Sequence, residues 1–526
     1  MKGCRWLGSC AILALVSGLT VFAQDEVKIE SGSLRGASQD GVVSFKGIPF
    51  ATAPTGNLRW KPPQPVAPWT GVRAATEFGH DCMQTPWEPE GYRITTSPSE
   101  DCLFLNVWTP STKADPKLPV MVWIYGGGWV NGGSSPPIYD GTQFAKMDVV
   151  FVSFNYRLGR FGYFGHPALS AESPSGPLGN YGYMDQIAVL KWVQQNIAAF
   201  GGDPKRVTLF GESAGGGSVL AMMISPMTRG LFQQAIIESA PARDSTTGLP
   251  QLMGKAGFLS KPTGESAGLA FAKSKGISGT DSAALDALRK LPPDALLDGL
   301  NMMSLFQAFR TYVGPMIDGQ VIVETTATAF QAGHQMKIPV IAGATNRDMG
   351  ITLAQIMPQV MAPFGFNQLR AYAAYDPNHT NDAKTVGMAV ASDRLLVEPM
   401  RFVVQQVAAS GQPAYEYRFS YVAGSERSHV DGAGHASEIP YVFNAVKTRF
   451  GDPANPADNA MAATMIGYWV AFAKTGDPNG EGRPHWPAYS PQTDILLDFT
   501  DAGAIAGPDP WKTRLDLTEK VAGGHP

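Results

Sequence analysis

Arg206-Val207-Thr208-Leu209-Phe210-Gly211-Glu212-Ser213-Ala214-Gly215-Gly216-Gly217 decides how this chain is read. Val207 to Phe210 is a short β-branched and aromatic run that reads as a buried strand. It ends in Gly-x-Ser-x-Gly and is followed by Val219-Leu220-Ala221-Met222-Met223, which reads as a helix. The pattern is strand, sharp turn and helix, with a serine at the apex. A serine hydroxyl is a weak nucleophile, so it must project from a tight, strained turn where a base can reach it. Gly211 and Gly215 leave out the side chains that would collide as strand and helix fold back on each other. The free N–H groups at the helix start favour an anion formed by attack. By themselves these residues also suit a structural glycine turn capped by serine, so the partners of Ser213 decide between the two.

Upstream, Pro119-Val120-Met121-Val122-Trp123-Ile124-Tyr125 is apolar throughout and reads as a central strand buried on both faces. It runs directly into Gly126-Gly127-Gly128-Trp129. A glycine triplet there lets backbone approach a ligand. The N–H groups of Gly127 and Gly128, with that of Ala214 after the serine, form a candidate oxyanion hole. Leu103 to Trp108 and Asp148 to Phe154 read as further strands. Met184 to Ala199 carries apolar residues at helical spacing and stops at Phe200-Gly201-Gly202-Asp203-Pro204. Alternating strands and helices around the serine predict an α/β fold with a mostly parallel sheet. Residues 27 to 50, by contrast, alternate polar and apolar side chains and read as small antiparallel strands at a sheet edge.

The chain has 526 residues, 44% hydrophobic and 16% charged, enough for a large core; 58 Gly and 41 Pro suit a loop-rich enzyme. Lys2 and Arg5 precede an apolar run from Ala11 to Ala23, and Val21-Phe22-Ala23 suits a cleavage site, so residues 1–23 read as a secretory signal peptide. That run is shorter than the ~20 residues that span a bilayer, so no stable membrane anchor is expected. Export places the protein outside the cell or in the periplasm. Without the leader, 39 basic residues face 45 acidic ones, a net of −6, and nothing points to nucleic acid. Cys4 and Cys10 leave with the leader, so Cys82 and Cys102 are expected to pair, closing a loop worth about 3 kcal/mol.

With these stretches in view, the chain resembles the type-B carboxylesterases, the cholinesterase-like branch of the α/β-hydrolases. The matching motifs are Ser99-Glu100-Asp101-Cys102-Leu103-Phe104-Leu105-Asn106-Val107-Trp108, Tyr125-Gly126-Gly127-Gly128, Gly179-Asn180-Tyr181-Gly182 with Asp185-Gln186, Phe200 to Pro204 and Gly211 to Gly215. Further on stand Gly434-His435 with Glu438-Ile439-Pro440-Tyr441-Val442-Phe443, and Lys474-Thr475-Gly476-Asp477-Pro478-Asn479. They cover nearly all of residues 24–526 in the family's order. The resemblance implies an α/β-hydrolase domain whose helical insertions, about 240–310, cap the active site. Met302, Met303, Leu305 and Phe306 are candidates for an apolar pocket there, though ordinary core packing suits them equally.

In an α/β-hydrolase the base follows both the serine and the acid in chain order. His435 lies in Asp431-Gly432-Ala433-Gly434-His435 after the strand-like Ala414 to Phe419, and its flanks match the family's histidine motif; His429 is the runner-up. For the acid, the family places Glu then Gly in the loop after Ile338 to Gly343. Counted from Pro339, those positions fall on Asp348 and Met349, with Asp393 and Glu324 in reserve. Glu212, beside the serine, matches a family position next to the site.

The reading is a serine hydrolase acting through an acyl-enzyme on small to medium, largely uncharged carboxylic esters, with no cofactor or metal. An amidase, lactonase, thioesterase or single-substrate esterase would use the same residues. Family members that only bind partners lack a complete serine and histidine pair, and both stand here. Cholinesterases place a tryptophan late in the disulfide loop, whereas this loop has only Trp87, five residues after Cys82. Oligomeric state is left open.

Overall fold

The computed structural model describes residues 25–523 apart from 88–90, 111–116, 245–247, 255–261, 306, 350–351 and 452–454. The leader expected at 1–23 lies outside the described residues, as does Phe306. In chain order the first strands are β1 (Glu26–Ile29), β2 (Gly32–Arg35), β3 (Ala37–Gln39), β4 (Val42–Pro49), β5 (Val72–Ala74), β6 (Phe104–Thr109) and β7 (Leu118–Ile124). Then follow β8 (Val150–Phe154), β9 (Gly202–Glu212), β10 (Gln234–Glu238), β11 (Val340–Thr345), β12 (Ala414–Phe419), β13 (Ile495–Thr500) and β14 (Gly503–Pro508).

Eleven strands form one sheet in the order β14-β13-β12-β11-β10-β9-β7-β8-β6-β4-β3. From β8 through β7, β9, β10, β11 and β12 to β13 every neighbour is parallel, while β14 at one edge and β6, β4 and β3 at the other pair antiparallel. The centre is therefore parallel, as the apolar runs predict. Val120 to Ile124 and Val207 to Phe210 are buried, Met121 pairing with Thr208 and Trp123 with Phe210. Burial on both faces leaves no room for alternation. Residues 27–50 divide between two sheets: β3 and β4 edge the large one, whereas β1 and β2 join β5 in a separate sheet of three.

Two boundaries differ from the sequence reading. β9 begins at Gly202, before the apolar run, because Leu118 pairs with Gly202 ahead of an irregularity in register. The helix expected over Met184–Ala199 spans Tyr181–Asn196 and tightens into a 3₁₀ turn at Ile197–Phe200. It is buried on nearly every side, and its first two turns include Asp185, held in a buried ion pair with Arg157 at 2.8 Å. The three residues ahead of Met184 that the spacing left out, Tyr181, Gly182 and Tyr183, are helical and buried as well. Cys82 and Cys102 form a disulfide, as their export-linked pairing predicts.

Candidate active site

The carboxyl ends of the parallel strands carry the chemistry-bearing side chains. β9 ends at Glu212 and the next helix, Ala214–Ile224, begins one residue later, leaving Ser213 between them at φ 57°, ψ −121°. A side-chain-bearing residue in that conformation costs on the order of 1–3 kcal/mol. The turn is held by the Ser213 N–H on the Glu238 carbonyl (2.9 Å) and the Gly217 N–H on the Ser213 carbonyl (2.8 Å). A Cβ on Gly211 would sit 2.6 Å from the Ile124 carbonyl oxygen, and one on Gly215 would overlap that same oxygen. These are the collisions that the two glycines avoid.

Beyond β12 the chain returns in a loop tied to the turn after β11. The Arg347 N–H donates to the Ala433 carbonyl (2.9 Å), and the Ala433 N–H donates to Asn346 Oδ1 (2.7 Å). This brings His435 Nε2 to 2.9 Å from Ser213 Oγ and His435 Nδ1 to 2.5 Å from Asp348 Oδ1. Asp348 is fully buried, and its Oδ2 accepts from Ser239 Oγ (2.5 Å) and the Thr345 N–H (3.1 Å). Met349, standing where the family pattern has glycine, is held at φ 27°. The shorter acid thus reaches the ring from a turn that forces an unusual backbone on the next residue.

At the end of β7, Gly127, Gly128 and Trp129 all have positive φ (104°, 63° and 58°). Among the described residues, no protein acceptor takes the N–H of Gly127, Gly128 or Ala214. Gly126 leaves room for Glu212, whose Oε2 would lie 2.7 Å from a Cβ there. Glu212 Oε1 in turn approaches His435 Nε2 at 3.2 Å.

Four buried carboxyls gather here: Glu212, Glu238, Asp348 and Glu438. Burial pushes Glu212, Glu238 and Glu438 up to about 8. Burial pulls the His435 imidazolium down, but the carboxylates of Glu212 and Asp348 more than offset this and hold its pKa above the ordinary value. Those two tendencies compete, because a Glu212 that stays protonated near neutrality cannot lift His435 by charge. Asp348 is the one of the two that hydrogen-bonds His435 Nδ1 (2.5 Å).

The structure brings together Ser213, His435, Asp348, Glu212 and the glycine turn. The reserves are elsewhere: His429 is exposed beside Ser428, Asp393 pairs with Arg514 (2.8 Å), and Glu324 meets the exposed His334. Sequence reasoning missed Ser239, which lies between Asp348 and Glu438 Oε1 (3.2 Å), and Glu238, which accepts from Trp469 Nε1 (2.7 Å). Their signal was a Glu-Ser pair at the end of the apolar run Ala235-Ile236-Ile237, one strand away from the elbow.

A cavity of about 510 Å³ opens beside the glycine turn, lined by Gly128, Trp129, Gly217, Leu249, Leu305 and Phe309 among others. Met302 packs over Gly128, but Met303 is exposed, so only part of the expected apolar group faces the site. A second cavity, about 830 Å³, runs along the histidine loop and is lined by Tyr92, His429, His435, Tyr441 and Trp511.

Known proteins share this plan. The sequence profile described as the carboxylesterase family matches residues 23–508. The chain is 35% identical to fumonisin B1 esterase of Sphingopyxis macrogoltabida, over 91% of this chain and 87% of that protein. It is 34% identical to para-nitrobenzyl esterase of Bacillus subtilis (strain 168), over 90% and 94%. A solved structure of a PNB esterase superposes with a TM-score of 0.78 at 30% identity, covering 94% of this chain and 99% of that one. With its parallel-centred sheet, serine elbow and near-complete coverage by these relatives, the chain belongs to the carboxylesterase family and is an ester-hydrolysing enzyme of the α/β-hydrolase fold.

Proposed function

We propose that Ser213 is the nucleophile, His435 the general base and then general acid, and Asp348 the residue that orients His435. The observation that carries this is the unbroken chain from Ser213 Oγ to His435 Nε2 (2.9 Å) and from His435 Nδ1 to Asp348 (2.5 Å). His435 takes the serine proton as Oγ attacks the ester carbonyl. The N–H groups of Gly127, Gly128 and Ala214 receive the developing oxyanion. Collapse expels the alcohol, protonated by His435, and leaves an acyl-enzyme that water clears by the same steps in reverse. Asp348 stabilises the imidazolium, and Glu212, 3.2 Å from the ring, adds to that when ionised.

The substrates are small to medium, largely uncharged esters, and the mostly apolar 510 Å³ cavity beside Gly128 supports this. The segment about 240–310 acts as its cap, contributing Leu249, Leu305 and Phe309. Export through a leader at residues 1–23 is supported by the disulfide. Among the described residues, no helix is long and apolar enough to cross a membrane.

The test is a hydrolysis panel of p-nitrophenyl esters of rising acyl length beside matched amides, a thioester and a choline ester. Ester turnover is expected, with Ser213→Ala lower in kcat by at least about 10⁴-fold. A folded Ser213→Ala protein that keeps its esterase activity overturns the assignment.

A further inference from the structure

The glycine turn that offers Gly127 and Gly128 has four residues at positive φ, Gly127, Gly128, Trp129 and Gly132. Such backbone does not hold its shape by local preference, since glycine populates many conformations about equally. What holds it comes from a distant part of the chain. Gln84, two residues after the disulfide-bonded Cys82, is buried and uses its whole side-chain amide. Oε1 accepts the Gly132 N–H (3.0 Å) and a bond from Asn131 Nδ2 (3.3 Å). Nε2 donates to the Gly132 carbonyl (2.7 Å) and to the Cys82 carbonyl (3.1 Å). One side chain thus satisfies both backbone groups of Gly132, as a neighbouring strand would.

The clamp continues to the oxyanion donors. Asn131 Nδ2 also donates to the Thr85 carbonyl (2.8 Å), and its backbone N–H donates to the Gly127 carbonyl (3.0 Å). Its Oδ1 accepts the N–H of Met302, the residue lying over Gly128. We propose that Gln84, acting through Asn131 and Gly132, is a positioning residue for the oxyanion hole. On this view the disulfide-closed loop serves the reaction by holding the Gly127 and Gly128 N–H groups at the developing oxyanion. The inference rests on the oxyanion role proposed above for that turn.

The test uses the intact, disulfide-bonded protein with Gln84→Met, which keeps bulk without hydrogen bonds, and Gln84→Glu, which keeps the acceptor at Oε1 but replaces the amide donor. Losing one oxyanion donor outright costs about 10²–10³-fold in kcat; loosening two should cost Gln84→Met roughly 10–100-fold. KM for a p-nitrophenyl ester is expected to stay within about threefold. Affinity for a trifluoromethyl ketone carrying the same acyl chain, which forms the tetrahedral oxyanion on Ser213, should fall in parallel with kcat/KM. Measured as a ratio to wild type at each pH, the kcat of Gln84→Glu should recover in part at low pH, where its protonated carboxyl can again donate to Gly132, and fall as pH rises.

A folded Gln84→Met protein with kcat within about threefold of wild type overturns the proposal. So does a fall in kcat with unchanged ketone affinity, which would mark a role outside the oxyanion. If Gln84→Met fails to fold, the Gln84→Glu pH profile decides alone: recovery at low pH supports the clamp, and a profile parallel to wild type overturns it. Ser213→Ala, measured alongside, separates the two readings. Activity surviving in Ser213→Ala sinks the assignment of the site, whereas a dead Ser213→Ala with indifferent Gln84 variants sinks only the clamp.

Discussion

In the proposed triad Asp348 is the most distinctive member, an aspartate at the position where the family pattern has glutamate. Its two oxygens are divided between His435 on one side and Ser239 with the Thr345 N–H on the other. Asp348→Asn keeps the volume but offers an amide where the ring N–H needs an acceptor, which favours the wrong tautomer. We expect kcat to fall by about 10⁴-fold with an unchanged far-UV circular dichroism spectrum. The pH profile adds a signed test. His435 acts as a base only when neutral, and its pKa is raised by the neighbouring carboxylates. The acidic limb of kcat/KM should therefore lie above the ordinary imidazole value of about 6.5. In Asp348→Asn the residual activity should show that limb at lower pH; a limb that stays put would mean Asp348 does not govern the base.

At the scale of elements, the carboxyl ends of β9 and β10 and the histidine loop concentrate buried acid. The pKa values of Glu212, Glu238 and Glu438 are raised from 4.5 to about 8 by burial, so the folded protein holds protons that the unfolded chain releases. The stability tied to those protons is complete below about 4.5 and is lost as pH rises through about 8. Glu238 is the member to test, since its Oε2 has no partner and it is not proposed to touch substrate. Glu238→Gln can still accept from Trp469, so it should melt roughly 2–4 °C above wild type at pH 8.5 and show little gain at pH 5. Equal shifts at both values would show that the carboxyl is not titrating.

The disulfide loop is the second testable element. Replacing Cys82 and Cys102 together by serine should cost about 3 kcal/mol of stability, read as a lower urea midpoint. An unchanged midpoint would mean that hydrogen bonds such as Thr96 Oγ1 to Asp81 hold the loop unaided.

For the whole molecule, export and oxidation are expected to go together. Protein recovered after secretion should begin at Gln24. It should expose no free thiol when unfolded without reductant and two after reduction, as intact-mass and thiol-labelling measurements would read. A chain that still begins at Met1 with four free thiols would remove the leader and the disulfide chemistry with it.

Much of this protein was legible in its sequence, for local reasons. The serine elbow, the central apolar strands and the glycine triplet can be read because strand, turn and helix demand particular residue types within a few positions. The expected pairing of Cys82 with Cys102 followed from having just two cysteines after the expected leader. Tertiary structure alone decided whatever depends on distant segments converging. It set Asp348, rather than Asp393 or Glu324, within hydrogen-bond distance of His435, although all three are acids that follow the serine in the chain. It placed Ser239 between that acid and Glu438, and Glu238 beside them, where the sequence around Ser239 and Glu238 drew no attention. It also gave Gln84 its place beside the glycine turn, 48 residues before Gly132. Hydrogen bonds across such separations leave no periodicity in the chain, because they are set by how the sheet brings its loops together.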